Sequence, residues 1–249
     1  VASIFRHGIY VQSGSGTCTK VTVRRNIIAN SASHGLQLRP GGVVEDNLFL
    51  RNSIALLLGG GNEPNPGGVD VLCLNNVVLD GKNITSSELR GWGVQIQNIR
   101  EGILRNNIVA HRTGGDFPIP MQVDGRSGSG VNNLTLQRNI IHNWGGEFSI
   151  TQADRITNLI RTKNSFDAGA STDYIDSTRN ISAYSVSLAN FLDRAKLQSR
   201  ANWDSKFTAP AVNTYIREGF TLKSSGNAIL KPTNNVVVED IKPISPNDI

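Results

Sequence analysis

The chain has 249 residues, of which 38% are hydrophobic, 6% aromatic and 18% charged, with a net charge of +5. That length suits one long domain with an aliphatic core. No apolar run approaches the roughly 18 residues of a membrane span and nothing reads as a retained signal peptide, while two Cys and four His are too few for a disulfide framework or a structural zinc cluster. The 26 Asn and 25 Gly favour turns and left-handed backbone over helix interiors. With 17 Arg against 8 Lys, the charge suits forked recognition of carboxylate, sulfate or phosphate; a merely solvated basic surface is the plainer alternative. The positive charge is dispersed and no nucleic-acid-binding module is recognisable, so nucleic acid is not expected as a partner.

In chain order, the first element is a short alternating strand over residues 7–12, His7-Gly8-Ile9-Tyr10-Val11-Gln12, followed by a loop that contains Cys18. Next come Val23 and, three residues on, Asn26-Ile27-Ile28. The same two signatures then recur: His34-Gly35-Leu36-Gln37-Leu38-Arg39, then Val44 with Asn47-Leu48-Phe49. Residues 54–58 fit the strand position but are apolar on both faces, which predicts a cover. Cys73 with Asn76-Val77-Val78 follows, then Trp92-Gly93-Val94-Gln95-Ile96-Gln97, Leu104 with Asn107-Ile108-Val109, Leu136 with Asn139-Ile140-Ile141, a weaker strand over residues 146–151, and a decayed copy at Asn164. The Asn anchors are 21, 29, 31, 32 and 25 residues apart, so the repeat is a coil of about 21 residues with insertions in loops. Those loops are residues 58–68, 80–90, 111–117 and 124–132.

Period-two alternation sends Ile9, Val11, Leu36, Leu38, Val94, Ile96, Phe148 and Ile150 inward. Tyr10, Gln12, Gln37, Arg39, Gln95, Gln97 and Ser149 then face outward, and Gln122 joins the stripe. Cys73 falls in the inward column with Val23 and Leu104, so a bridge to Cys18 is not expected. The Asn column reads as scaffold, a tight left-handed turn whose amides satisfy neighbouring coils. Beyond residue 170 the pattern changes. Residues 185–199 place Val186, Leu188, Phe191, Leu192 and Ala195 on one helical face, a second short helix is expected from 210 to 218, and the Pro-containing tail carries one strand at 236–238. The expected organisation is therefore coils over 1–170 and a helical cap with an extended tail, packed on the solenoid, over 171–249. The first strand lies at the very start with no polar cap, so a preceding segment or a second chain is expected to complete the stack.

The repeated V-x-x-N-x-I pattern, the Asn column and the Gly-led strands resemble the right-handed parallel β-helix of the pectate lyase-like superfamily. The resemblance implies an all-β solenoid of three strands per coil, with the Asn side chains forming a hydrogen-bonded ladder between the second and third strands. It also implies a substrate groove on the Gly-led first sheet, secretion or display at the cell surface, and an anionic polysaccharide as partner. A lyase acting on a uronate-containing chain is the favoured activity. A noncatalytic glycan-binding or structural β-helix and an inverting hydrolase stay open beside it. Calcium is common among the lyase relatives, but no Asp-rich loop marks a site here. The cofactor is left unknown.

Within that frame the candidate catalytic residues are His34, Arg39 and Tyr10, and the candidate substrate-binding residues are Gln37, Gln12, His7, Gln95, Gln97 and Gln122. Arg39 suits a uronate carboxylate, His34 or Tyr10 a proton transfer, and the amides sugar hydroxyls. The competing reading of His7 and His34 is a pair of turn histidines bonded to backbone. For a hydrolase the acids on offer are Glu45 with Asp46 and Asp116 with Asp124, and the paired-Asp signature of β-helix polygalacturonases is absent. Three glycosylation-acceptor triplets, at Asn83, Asn133 and Asn180, are what an Asn-rich chain yields by chance.

Overall fold

A computed structural model describes residues 3–12, 21–60, 66–111, 119–146, 148–166 and 208–213. The strands stack into three parallel sheets of six strands each. The first sheet contains Ile9–Val11, His34–Leu38, Ile54–Gly59, Trp92–Gln97, Met121–Asp124 and Ser149–Thr151. The second contains Thr22–Arg24, Gly42–Glu45, Val69–Leu74, Ile99–Arg105, Val131–Gln137 and Ile156–Thr162. The third contains Ile27–Ala29, Leu48–Leu50, Val77–Leu79, Ile108–Ala110, Ile140–His142 and Ser165–Phe166. Successive strands visit the three sheets in turn, so the described residues wind as six coils, each pairing only with its neighbours.

The columns keep register through insertions of very different length. Ile9, Leu36, Leu56, Val94 and Met121 align in the first sheet, and Val23, Val44, Cys73, Leu104 and Leu136 in the second. Ile28, Phe49, Val78, Val109 and Ile141 align in the third. These columns form one buried core. Ile150 keeps the inward register of Val123 but is 39% exposed on the last described strand of its sheet.

The interior ladder residues Asn47, Asn76, Asn107 and Asn139 make the same bonds. The backbone N–H and Nδ2 of Asn76 both donate to Asn107 Oδ1 at 3.0 Å, and Asn76 Nδ2 also donates to Val44 O at 2.9 Å. The relay runs Asn26, Asn47, Asn76, Asn107, Asn139, Asn164. The left-handed residue of each turn is the one before the ladder Asn: Arg25, Asp46, Asn75, Asn106, Arg138 and Lys163, with φ between 54° and 57°. This left-handed step turns the chain from the second sheet into the third.

The outer face of the third sheet is apolar. Leu48, Leu50, Val77, Leu79, Ile108, Ala110 and Ile140 are buried there, and Ala209 and Val212 pack on them from a helical turn over residues 209–213. Asn213 Nδ2 donates to Asn75 O at 2.9 Å, fastening that turn to the third coil. This turn begins where a second helix was expected. The expected helix at 185–199, the tail strand and Cys18 lie outside the described residues. The doubly apolar strand Ile54–Gly59 is buried on both faces.

Gly leads the first-sheet strands for a steric reason. A Cβ on Gly93 would lie 2.1 Å from Pro120 O and 2.7 Å from Val109 Cγ1, contacts with backbone and core that cannot swing away. Gly93→Ala should cost about 1–3 kcal/mol through forced backbone shifts, read as a lower denaturant midpoint at unchanged slope. A midpoint equal to the parent's would refute this close approach.

Candidate functional site

The first two coils bring six of the candidate residues together. Tyr10 pairs with Gln37 in register, His7 and His34 lie one coil apart before their Gly, and Arg39 follows the second strand. His7 stacks on Tyr10 with ring centres 5.1 Å apart, and its ring lies 5.0 Å from that of His34. The two imidazoles meet Nδ1 to Nδ1 at 3.1 Å, and Ser33 Oγ lies 3.1 Å from His34 Nδ1. One imidazole must donate from Nδ1 and the other accept, so the rings carry opposite tautomers and the donor ring keeps a bare Nε2. The Arg39 guanidinium lies 5.7 Å from the Tyr10 ring centre, within reach of a cation–π contact. The Tyr10 hydroxyl donates to Gln12 Oε1.

Burial and the neighbouring charges disfavour the charged form of both imidazoles. His34 is pushed down to about 3, by burial first and then by His7, Arg39 and Arg90. His7 is lowered by burial and then by Arg39. The unfolded imidazole titrates near 6.5. Because the folded value of His34 is depressed, its contribution to stability is fully present above the unfolded value and is lost as pH falls from about 6.5 towards 3. The ring-proton signals of His34 should therefore stay flat between pH 8 and 5 in a titration followed by NMR. A midpoint near 6.5 would refute the burial argument.

The rest of the outward stripe is not an open groove, and this corrects the expectation of one solvent-open surface. Tyr10 is 46% exposed, whereas Gln37, Gln95, Gln97 and Gln122 are only 4–8% exposed. Their amides are spent on neighbours. Gln95 Nε2 donates to Gln122 Oε1 at 2.9 Å, and Gln97 Nε2 donates to Asp124 Oδ2 at 2.9 Å. Gln37 accepts from Arg39 Nε at 3.1 Å and Nη2 at 2.7 Å, which pins the guanidinium. Arg39 also crosses Gly60, where a Cβ would lie 3.1 Å from Nη1. Alternation correctly gave the face of each Gln. It carries no information on what else lies over that face.

Asp124 is fully buried and holds Arg126 Nε at 2.6 Å, Thr151 Oγ1 at 2.9 Å and Gln97, so it is a structural carboxylate rather than a free acid for hydrolysis. Its suggested partner Asp116 lies outside the described residues. Glu45 is bound by Arg24 through Nε at 2.9 Å and Nη2 at 2.6 Å. Among the described residues no three His, Cys, Asp or Glu side chains converge as a metal site requires.

Two residues that the sequence reading passed over belong beside the cluster. Trp92 shares the Ile54 register with His34, and the Arg90 guanidinium lies 5.6 Å from a Trp92 ring centre while acting on the charge of His34. The signal was available, since Trp92 precedes Gly93 as His7 and His34 precede Gly8 and Gly35.

Three parallel sheets, an Asn ladder and an aliphatic core define a β-solenoid. Residues 1–188 match the family described as a right handed beta helix region, and the chain belongs to it. No curated protein and no solved structure matches the chain.

Proposed function

We propose that the protein recognises an anionic, uronate-containing polysaccharide at the exposed end of the first sheet and cleaves it by β-elimination, as a secreted or surface-displayed lyase. The observation that supports this reading is the bonded His7–His34 pair beside an exposed Tyr10, with the Arg39 guanidinium acting on both rings and Arg90 on His34. Arg39, held by Gln37, neutralises the uronate carboxylate and so acidifies the adjacent C–H. The proton passes to the bare nitrogen of the imidazole pair. Its electron pair forms the ring double bond as the bond to the leaving glycosidic oxygen breaks, and the Tyr10 hydroxyl supplies a proton to that oxygen. His7 is the better acceptor of the two, because a conjugate acid near 3 makes His34 a weak base. His34 then holds the tautomer of its partner.

That weak basicity also favours a second reading, in which the same cluster binds the glycan without cleaving it. Incubation with polygalacturonate, alginate and neutral dextran, with and without a calcium chelator, separates the two. Absorbance of an unsaturated product on a uronate polymer supports elimination. Retention on the polymer without that absorbance supports binding alone, and neither signal on any uronate polymer overturns both.

A further inference from the structure

The turn between the second and third sheets carries a second charged feature, remote from the imidazole cluster. Its left-handed position reads Arg25, Asp46, Asn75, Asn106, Arg138 and Lys163 down the stack. Asn and Asp tolerate that backbone, and long side chains gain nothing from it. Asn75 and Asn106 are therefore the residues that conformation alone selects, while Arg138 and Lys163 are not. Both are exposed, and they stand on adjacent coils, about 4.8 Å apart, where like charges repel. Arg105, one coil before Arg138 and next to its own left-handed Asn106, has an enclosed Nε with no hydrogen-bond partner. Among the described residues no carboxylate pairs with any of these three. At the other end of the same edge the strand residue Arg24, which precedes the left-handed Arg25 as Arg105 precedes Asn106, is matched by Glu45. An unfavourable backbone and stacked like charges coincide at Arg138 and Lys163, and Arg105, on the strand one coil earlier, adds a third cation whose Nε has no partner.

We infer that the Arg105, Arg138 and Lys163 edge is a second binding site, for a linear anionic polysaccharide lying along the solenoid axis. The three cations span about 10 Å, and a polyuronate with one carboxylate per sugar presents charges at intervals comparable to the coil spacing. Such a site would anchor the polymer without touching the reacting bond, so it goes beyond the reading of the first-sheet cluster and stands or falls separately. Among the described residues no aromatic side chain contacts the three cations, which favours a glycan over a stacked single-stranded nucleic acid.

The test uses the double variant Arg138→Asn with Lys163→Asn in the full chain. Asn suits the left-handed turn, so the variant should melt no lower than the parent, which separates lost binding from lost folding. Affinity for polygalacturonate at low salt should fall about tenfold or more, and the slope of log affinity against log salt should drop by about two, one for each lost contact. Turnover of a short uronate oligomer should be unchanged, whereas Arg39→Ala should lower turnover at least about a hundredfold and retain this salt-dependent binding. Unchanged affinity and slope in the double variant, equal binding of neutral dextran, or tighter binding of a single-stranded oligonucleotide than of polygalacturonate would each overturn the assignment.

Discussion

Asn107→Ala should destabilise the protein by about 3–6 kcal/mol. The side chain serves four polar groups on three neighbouring residues. Asn76 loses the acceptor for its backbone N–H and for Nδ2, Cys73 O loses a donor at 2.9 Å, and Asn139 Oδ1 loses the Nδ2 donor at 3.0 Å. Each buried polar group left unsatisfied costs about 1–3 kcal/mol, and the site is 1% exposed, so bulk water reaches it poorly. Asn26→Ala is the internal control. Asn26 has the same bonds to the next coil but is exposed, and its loss should stay within about 1 kcal/mol because water replaces what the amide supplied. The measurement is the denaturant midpoint of each variant at constant slope. Equal effects for Asn107→Ala and Asn26→Ala would mean that the ladder contributes nothing beyond an ordinary surface amide.

The ladder was legible because its constraint is one-dimensional. Stacking in register forces the same residue into the same turn in every coil, so Val23 with Asn26 and Leu104 with Asn107 announce themselves whatever the length of the loops between them. The left-handed residue before each Asn was not legible, since Arg25, Asp46, Asn75, Asn106, Arg138 and Lys163 mix cations, an acid and amides. Only the backbone torsion unites them. The strand faces of the first sheet followed from alternation, yet Gln95 and Gln122 proved to bond to each other. Sequence periodicity reports which side of a sheet a residue occupies, and the hydrogen-bond partner on that side is a tertiary fact. The His7 and His34 contact was half visible for the same reason. Their shared register was in the sequence, but the joint effect of burial, Arg39 and Arg90 on the charge of His34 depends on the path of residues 80–90, which no repeat encodes.

Arg39→Ala should lower turnover of the preferred uronate polymer by at least about a hundredfold, with most of the loss in kcat. The guanidinium does two jobs at once in the proposed elimination. It offsets the ground-state carboxylate, which contributes to binding, and it stabilises the additional negative charge that develops as the adjacent C–H is broken, which appears only in the transition state. Removing one preorganised charge donor of this kind costs about 10²–10³ in rate. Gln37→Ala removes the two bonds that pin the same guanidinium, at 3.1 and 2.7 Å, while leaving the charge in place, so it should give a smaller loss in the same direction. Arg39→Lys keeps a charge but loses the fork that Gln37 holds, and should recover only part of the activity. His34→Gln bears on the tautomer argument. If His34 only fixes the partner ring, the variant should lower kcat with little change in the pH profile, because His34 itself does not titrate in the working range. A parent and an Arg39→Ala variant within about threefold of each other on every uronate polymer would remove Arg39 from the reaction, whatever the variant did to stability.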